Sequence, residues 1–169
     1  NYGAVLQAFS LQKTIKKMGH DVEIINFVPE NNKMKRYLNE MGFSRNRKNI
    51  PAFFLSLFQS FLTAKYRNSL KNKFADFRNT HLILSEKVNE KTIFNLVRKY
   101  DLIIAGSDQI WNPSQRKMPF YFLDFGNKFF GKKASYAADS TTSNIDENDL
   151  ERIKRTLSEF NFITVRNQH

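Results

Sequence analysis

Short apolar runs alternate along this chain with segments of helical periodicity, and that alternation narrows the fold more than any other feature. Asp101-Leu102-Ile103-Ile104-Ala105 is apolar at every position after its Asp, as expected of a strand covered on both faces. Asp21–Val28, ended by Pro29, is a second such run; Lys132–Ala138 and Phe162-Ile163-Thr164-Val165 are two more. Between them lie helical patterns. Residues 2–18 repeat Ala4, Ala8, Leu11, Ile15 and Met18 at helical spacing, load their last turns with Lys13, Lys16 and Lys17, and stop at Gly19. Thr92–Tyr100 sets Ile93, Leu96 and Val97 on one face, and Asp146–Phe160 sets Leu150, Ile153 and Leu157 on its inner face. His81 borders a Leu-Ile-Leu strand, and Phe120–Phe125 reads as a short aromatic strand or edge segment. Strands alternating with helices predict an α/β fold, a doubly wound parallel sheet with helices on both sides, as one domain over 1–169. The first helix should follow a strand that would lie before Asn1, so the chain reads as a piece of a longer protein.

Residues 30–80 break this rhythm. They are basic and Asn-rich, and within Pro51–Leu62 the residues Phe54, Leu57, Phe58, Phe61 and Leu62 share one helical face. The expectation is a helical insertion in the domain. The apolar run falls short of the roughly 20 residues that span a bilayer. Cations on either side, Arg45, Arg47 and Lys48 before it and Lys65, Arg67, Lys71 and Lys73 after it, fit a helix that touches a membrane surface.

Charge and cysteine content remove several function classes. The 27 Lys and Arg against 16 Asp and Glu give a net charge of +11, which draws anions: nucleic acid, lipid headgroups, phosphorylated sugars or carboxylated small molecules. With no cysteine there is no disulfide frame, zinc ribbon, thiol nucleophile or CxxC redox pair. No two His fall at metal-ligand spacing, so no metal site is expected, and no phosphate-binding GxGxxG or GxxxxGK[ST] loop occurs. No recognition helix or RNA-binding sheet signature accompanies the basic charge, which argues against a nucleic-acid partner.

Three segments can carry chemistry. Gly106-Ser107-Asp108-Gln109-Ile110-Trp111-Asn112 follows a buried strand, at the carboxyl edge where open α/β sheets bind ligands. Ser107, Asp108, Gln109 and Asn112 offer donors and acceptors, Trp111 a flat face, and Gly106 close backbone approach, a set that suits a sugar or nucleotide ring. The alternative is a turn in which Trp111 fills core. Asn1-Tyr2-Gly3 opens the first helix, whose free N–H groups favour anions, although Asn and Gly also begin many helices for local reasons. Ser135-Tyr136-Ala137-Ala138-Asp139-Ser140 leaves another strand toward the same edge, or is a plain strand-to-loop transition.

Taken together, Asn1–Phe9 with Leu11-Gln12, Gly19–Glu23, Gly106–Asn112, Phe122-Leu123-Asp124-Phe125, Lys133–Ala138 and Ile163-Thr164-Val165-Arg166 resemble, in order, the landmarks of the polysaccharide pyruvyl transferases. That resemblance implies a Rossmann-like amino-terminal domain of a two-domain GT-B-like enzyme, with the carboxyl-terminal domain outside this chain. It implies pyruvyl transfer from phosphoenolpyruvate, as donor substrate with no cofactor, to a sugar of a cell-surface polysaccharide or its lipid-linked precursor. It implies a cytoplasmic bacterial protein, peripheral at the inner membrane face. Asp108 is then the expected functional carboxylate. Asn1, Tyr2, Gly3, Gly106, Ser107, Gln109, Trp111, Asn112 and Ser135 are the expected acceptor-binding residues. The family's basic and histidine residues for the donor fall in the other half. A non-catalytic glycan-binding relative is the alternative reading, and a basic nucleic-acid-binding domain a more distant one.

Overall fold

The computed structural model describes residues 2–30, 50–108, 110–111, 119–140 and 147–166. The elements run α1 (Tyr2–Lys17), β1 (Ile24–Phe27), α2 (Ile50–His81), β2 (Leu84–Val88), α3 (Ile93–Val97), β3 (Leu102–Asp108), β4 (Lys132–Ala138), α4 (Glu147–Leu157) and β5 (Phe162–Val165), with short 3-10 turns at Pro119–Phe122 and Gly126–Lys128. Two compact units divide the chain, one of residues 1–14 and 90–169 and one of residues 15–89. Among the described residues every strand pairing is parallel, which makes this an α/β protein.

In the unit of residues 15–89, α1 ends as its sequence demands. The Gly19 amide donates to Lys16 O at 3.1 Å and the His20 amide to Ile15 O at 3.4 Å, with Gly19 at φ +90°: a Schellman cap that needs a residue tolerant of positive φ. β1 then pairs with β2, Ile24 opposite Leu84 and Phe27 opposite Val88, with a slip in register between Ile24 and Asn26. The slip strands one amide, and the Ser85 hydroxyl accepts the Asn26 N–H at 3.0 Å in its place. The insertion expected over 30–80 contains α2, 32 residues long; residues 31–49 lie outside the described residues.

In the other unit the sheet order is β3-β4-β5. Leu102 to Gly106 run opposite Lys132 to Tyr136 without a break, and Asp108 stands opposite Ala138. β4 and β5 slip between Ser135 and Ala138, and again a hydroxyl repairs the ladder. Thr164 Oγ1 accepts the Ala137 N–H at 3.1 Å and donates to Ser135 O at 2.9 Å, while Ala137 takes a positive φ of 49° to make the bend. The buried Lys133 ammonium pairs with Glu159, and Asn161 clamps the same residue through its backbone, donating to Lys133 O at 2.8 Å. Lys133 therefore anchors the chain after α4 at the start of β4, the end away from the carboxyl edge.

Four expectations are corrected. Phe120–Phe125 is no strand: Pro119–Phe122 is a 3-10 turn, and Phe122, Leu123 and Phe125 are buried without forming a ladder. The chain coils instead, with Leu123 at φ +52°. β2 begins at Leu84 rather than at Leu82, because α2 runs on through His81 and the Leu82 amide still donates to Arg78 O at 3.1 Å. β3 continues through Gly106, Ser107 and Asp108, residues expected in a loop, because β4 supplies pairing partners as far as Ala138. Leu150, expected on the inner face of α4, is exposed, while Ile153 and Leu157 pack inward against Trp111, Phe122 and Ala138.

Candidate functional site

The carboxyl edge of the β3-β4-β5 sheet gathers the segments that the sequence marks. β3 reaches it at Asp108, β4 at Ala138 and β5 at Val165. Two backbone hydrogen bonds stitch the outgoing chains together there. The Trp111 amide donates to Asp139 O at 3.2 Å and the Arg166 amide to Ala138 O at 3.1 Å. The Asp139 carboxylate accepts the Ser140 N–H at 2.8 Å, which turns the chain away from β4. Residues from three strands thus meet on one edge, the place where parallel sheets offer their loops to ligands.

Gly106 makes this edge possible. It sits at φ +150° directly opposite Tyr136, and a Cβ added to it would overlap the Tyr136 carbonyl oxygen, with Tyr136 C at 3.0 Å and N at 3.2 Å. Only glycine lets β3 and β4 approach so closely two residues before Asp108. The glycine required by the motif is therefore a pairing residue.

Trp111 is 8% exposed and belongs to the core beneath the edge. Its ring stacks on Phe122 (centroids 6.2 Å, planes 10° apart) and meets Phe160 edge-on at 6.0 Å. That geometry commits the indole to packing with Ala138, Ile153 and Leu157 rather than holding it open as a platform. Its Nε1–H is buried and meets no acceptor among the described residues. An unsatisfied buried donor costs about 1–3 kcal/mol.

Ser135 is buried in the ladder, with its hydroxyl donating to Thr164 O at 3.1 Å and accepting the Thr164 N–H at 3.1 Å. Both bonds are internal, so the hydroxyl is spent on holding β4 to β5. Replacing Ser135 by Ala is expected to cost about 1 kcal/mol of stability, since it removes the part-buried hydrogen bonds to the Thr164 amide and carbonyl, while the KM for substrates stays within about twofold. Chemical denaturation alongside steady-state kinetics checks both halves of that expectation. Gly3 is exposed in the first turn of α1, which Tyr2 opens. Asn1, Gln109 and Asn112 lie outside the described residues; Ser107 and Asp108 are the last two positions of β3.

Two edge residues were not among the expected site residues: Asp139, although it lies in the third chemistry-bearing segment, and Arg166, noted only as part of a landmark. Each is the first charged residue after a strand of the same parallel sheet. Burial raises the Tyr121 hydroxyl above its ordinary pKa. A shallow depression between the Phe122 turn and α4, lined by Asp124, Arg152 and Thr156 among others, has no depth for a ligand. Among the described residues no cluster of acidic or histidine side chains could hold a metal ion.

The family model for polysaccharide pyruvyl transferases matches residues 1–169, the whole chain. The chain belongs to the polysaccharide pyruvyl transferase family. No curated protein and no solved structure matches it. Membership in this transferase family makes the carboxyl edge, which β3 reaches through Gly106–Asp108, the candidate for the pyruvyl transferase site. The landmarks Lys133–Ala138 and Ile163–Arg166 acquire physical meaning as well: one is β4 complete but for its first residue, the other most of β5 with the residue after it.

Proposed function

We propose that this pyruvyl transferase moves the pyruvyl group of phosphoenolpyruvate onto a sugar of a cell-surface polysaccharide or its lipid-linked precursor. In this reading the chain is the amino-terminal, doubly wound half of a GT-B-like enzyme and forms the acceptor side of the cleft. It works in the cytoplasm with peripheral contact at the inner membrane face. The observation that carries the proposal is the family match over 1–169, joined to a carboxyl edge where β3, β4 and β5 bring Asp108, Trp111, Asp139 and Arg166 into one neighbourhood.

The chemistry sets the requirements. To make a ketal from an enol phosphate, two sugar hydroxyls bond to the central carbon. One hydroxyl proton goes to the methylene carbon, which becomes methyl, and the other leaves with phosphate. The site must therefore accept a hydroxyl proton and tolerate two anionic groups on the donor. Asp108 at the end of β3 suits the first task as a general base. Arg166 at the end of β5, on a chain of net charge +11, suits the second. The buried Trp111 Nε1–H suits a sugar oxygen, in place of the stacking expected of its ring. Asn1, Tyr2, Gly3, Ser107, Gln109 and Asn112 complete the proposed acceptor surface.

The test mixes the full-length protein, of which this chain is one half and inactive alone in this reading, with phosphoenolpyruvate and a panel of nitrophenyl and lipid-linked sugars, followed by phosphate release and mass spectrometry. Phosphate release that needs the sugar, with a mass gain of one pyruvyl group on it, is the expected result. Binding of glycans with neither phosphate release nor affinity for phosphoenolpyruvate would instead leave a glycan-binding relative.

A further inference from the structure

We infer that one face of α2 docks onto an anionic lipid surface. The inference deepens the membrane contact proposed above and rests on that contact, not on the transfer chemistry. Phe58, Leu62 and Tyr66 are 61%, 62% and 69% exposed, and they recur every four residues along α2. That spacing puts them on one side of the helix. A single exposed apolar residue is ordinary; three large ones in a row form a stripe that water penalises and a partner would cover.

The charge around the stripe selects the partner. The first fifteen residues of α2, Ile50 to Ala64, carry no charge. The rest of the helix holds Lys65, Arg67, Lys71, Lys73 and Arg78 against a single acid, Asp76. Lys73 is exposed and follows Tyr66 by seven residues, two turns on, so it continues the same face. Asp76 falls ten residues past Tyr66, about 15 Å along the axis at the helical rise. An apolar stripe that runs into cations matches acyl chains beneath anionic headgroups, with the long Lys side chains reaching up to the phosphates. A second copy of the chain fits poorly, because two helices of net positive charge on chains of net charge +11 repel. A nucleic acid would use the cations and leave the stripe in water. No helix among the described residues is long and apolar enough to cross a membrane, so the contact is with the surface.

Co-sedimentation of the full chain with vesicles tests this. Phosphatidylcholine vesicles serve as the neutral surface and phosphatidylcholine–phosphatidylglycerol vesicles as the anionic one. The chain is expected to partition at least ~10-fold more strongly onto the anionic vesicles, and to lose that preference as salt is raised. Replacing Phe58, Leu62 and Tyr66 together by Ser should weaken binding ~10-fold or more with the circular dichroism unchanged, since these side chains are solvent-facing. Lys73→Glu should weaken it at low salt. Pyruvyl transfer to a water-soluble acceptor by the full-length protein carrying these substitutions should be unaffected, which separates failure of docking from failure of the transferase assignment. Three results would overturn the inference: equal binding of wild type and triple variant, self-association without lipid that the triple variant abolishes, or binding to a DNA duplex with none to vesicles.

Discussion

Gly106→Ala is expected to destabilise the protein by roughly 3 kcal/mol or more, a large share of the ~5–15 kcal/mol that holds a typical domain together. Two penalties coincide. The residue sits at φ +150°, where an L side chain is strained, and its new Cβ would overlap the carbonyl oxygen of Tyr136. The obstructing atoms are backbone, so no rotamer change relieves them; β3 and β4 must move apart at the centre of their ladder. Gly19→Ala separates the penalties. Gly19 also has positive φ, +90°, yet a Cβ there meets nothing within 4 Å. It should cost only about 1 kcal/mol, the conformational part alone. Urea unfolding of both variants reads the difference, with a fall in midpoint at unchanged slope marking a true stability loss. Equal losses would mean that φ strain, not close approach, fixes glycine at 106.

The contrast between these glycines shows how much of the fold was legible in the sequence. Gly19 was readable as a helix stop because its neighbours form a periodic helix with lysines in the last turns, all local information. β4 and β5 were readable to the residue, since Lys132–Ala138 and Phe162–Val165 are bounded by polar and turn-forming neighbours. Gly106 was legible as a landmark but not in its role, because what it avoids is Tyr136, thirty residues on. The Phe120–Phe125 error has the same origin. Aromatic β-propensity is local, while the burial of Phe122 is decided by Trp111, Phe160 and Ala138 of the sheet. The two hydroxyl repairs, Ser85 for Asn26 and Thr164 for Ala137, join positions distant in sequence, and no local pattern announces them. Trp111 was left open between core and platform, and packing decides it: its ring is stacked inside, and only its N–H is unspent.

Asp108→Ala is expected to lower kcat for pyruvyl transfer by about 100- to 10,000-fold, the range for loss of a general base. Asp108 is the last residue of β3 and pairs with Ala138, so its backbone is fixed by the sheet. A backbone so fixed is a firm base from which to offer a proton acceptor to a sugar hydroxyl. Asp108→Asn keeps size and hydrogen bonding but removes the basic oxygen, so it should be nearly as damaging to kcat while leaving the acceptor KM close to wild type. A residue that only binds the acceptor would show the opposite split, a raised KM with kcat retained. A residue that only supports the strand would lower the melting temperature and spare the kinetics of the folded fraction. Steady-state kinetics of both variants, with thermal melts on the same samples, separate the three roles. A kcat within about threefold of wild type in both would remove Asp108 from the chemistry and direct attention to Asp139, the carboxylate that β4 delivers to the same edge.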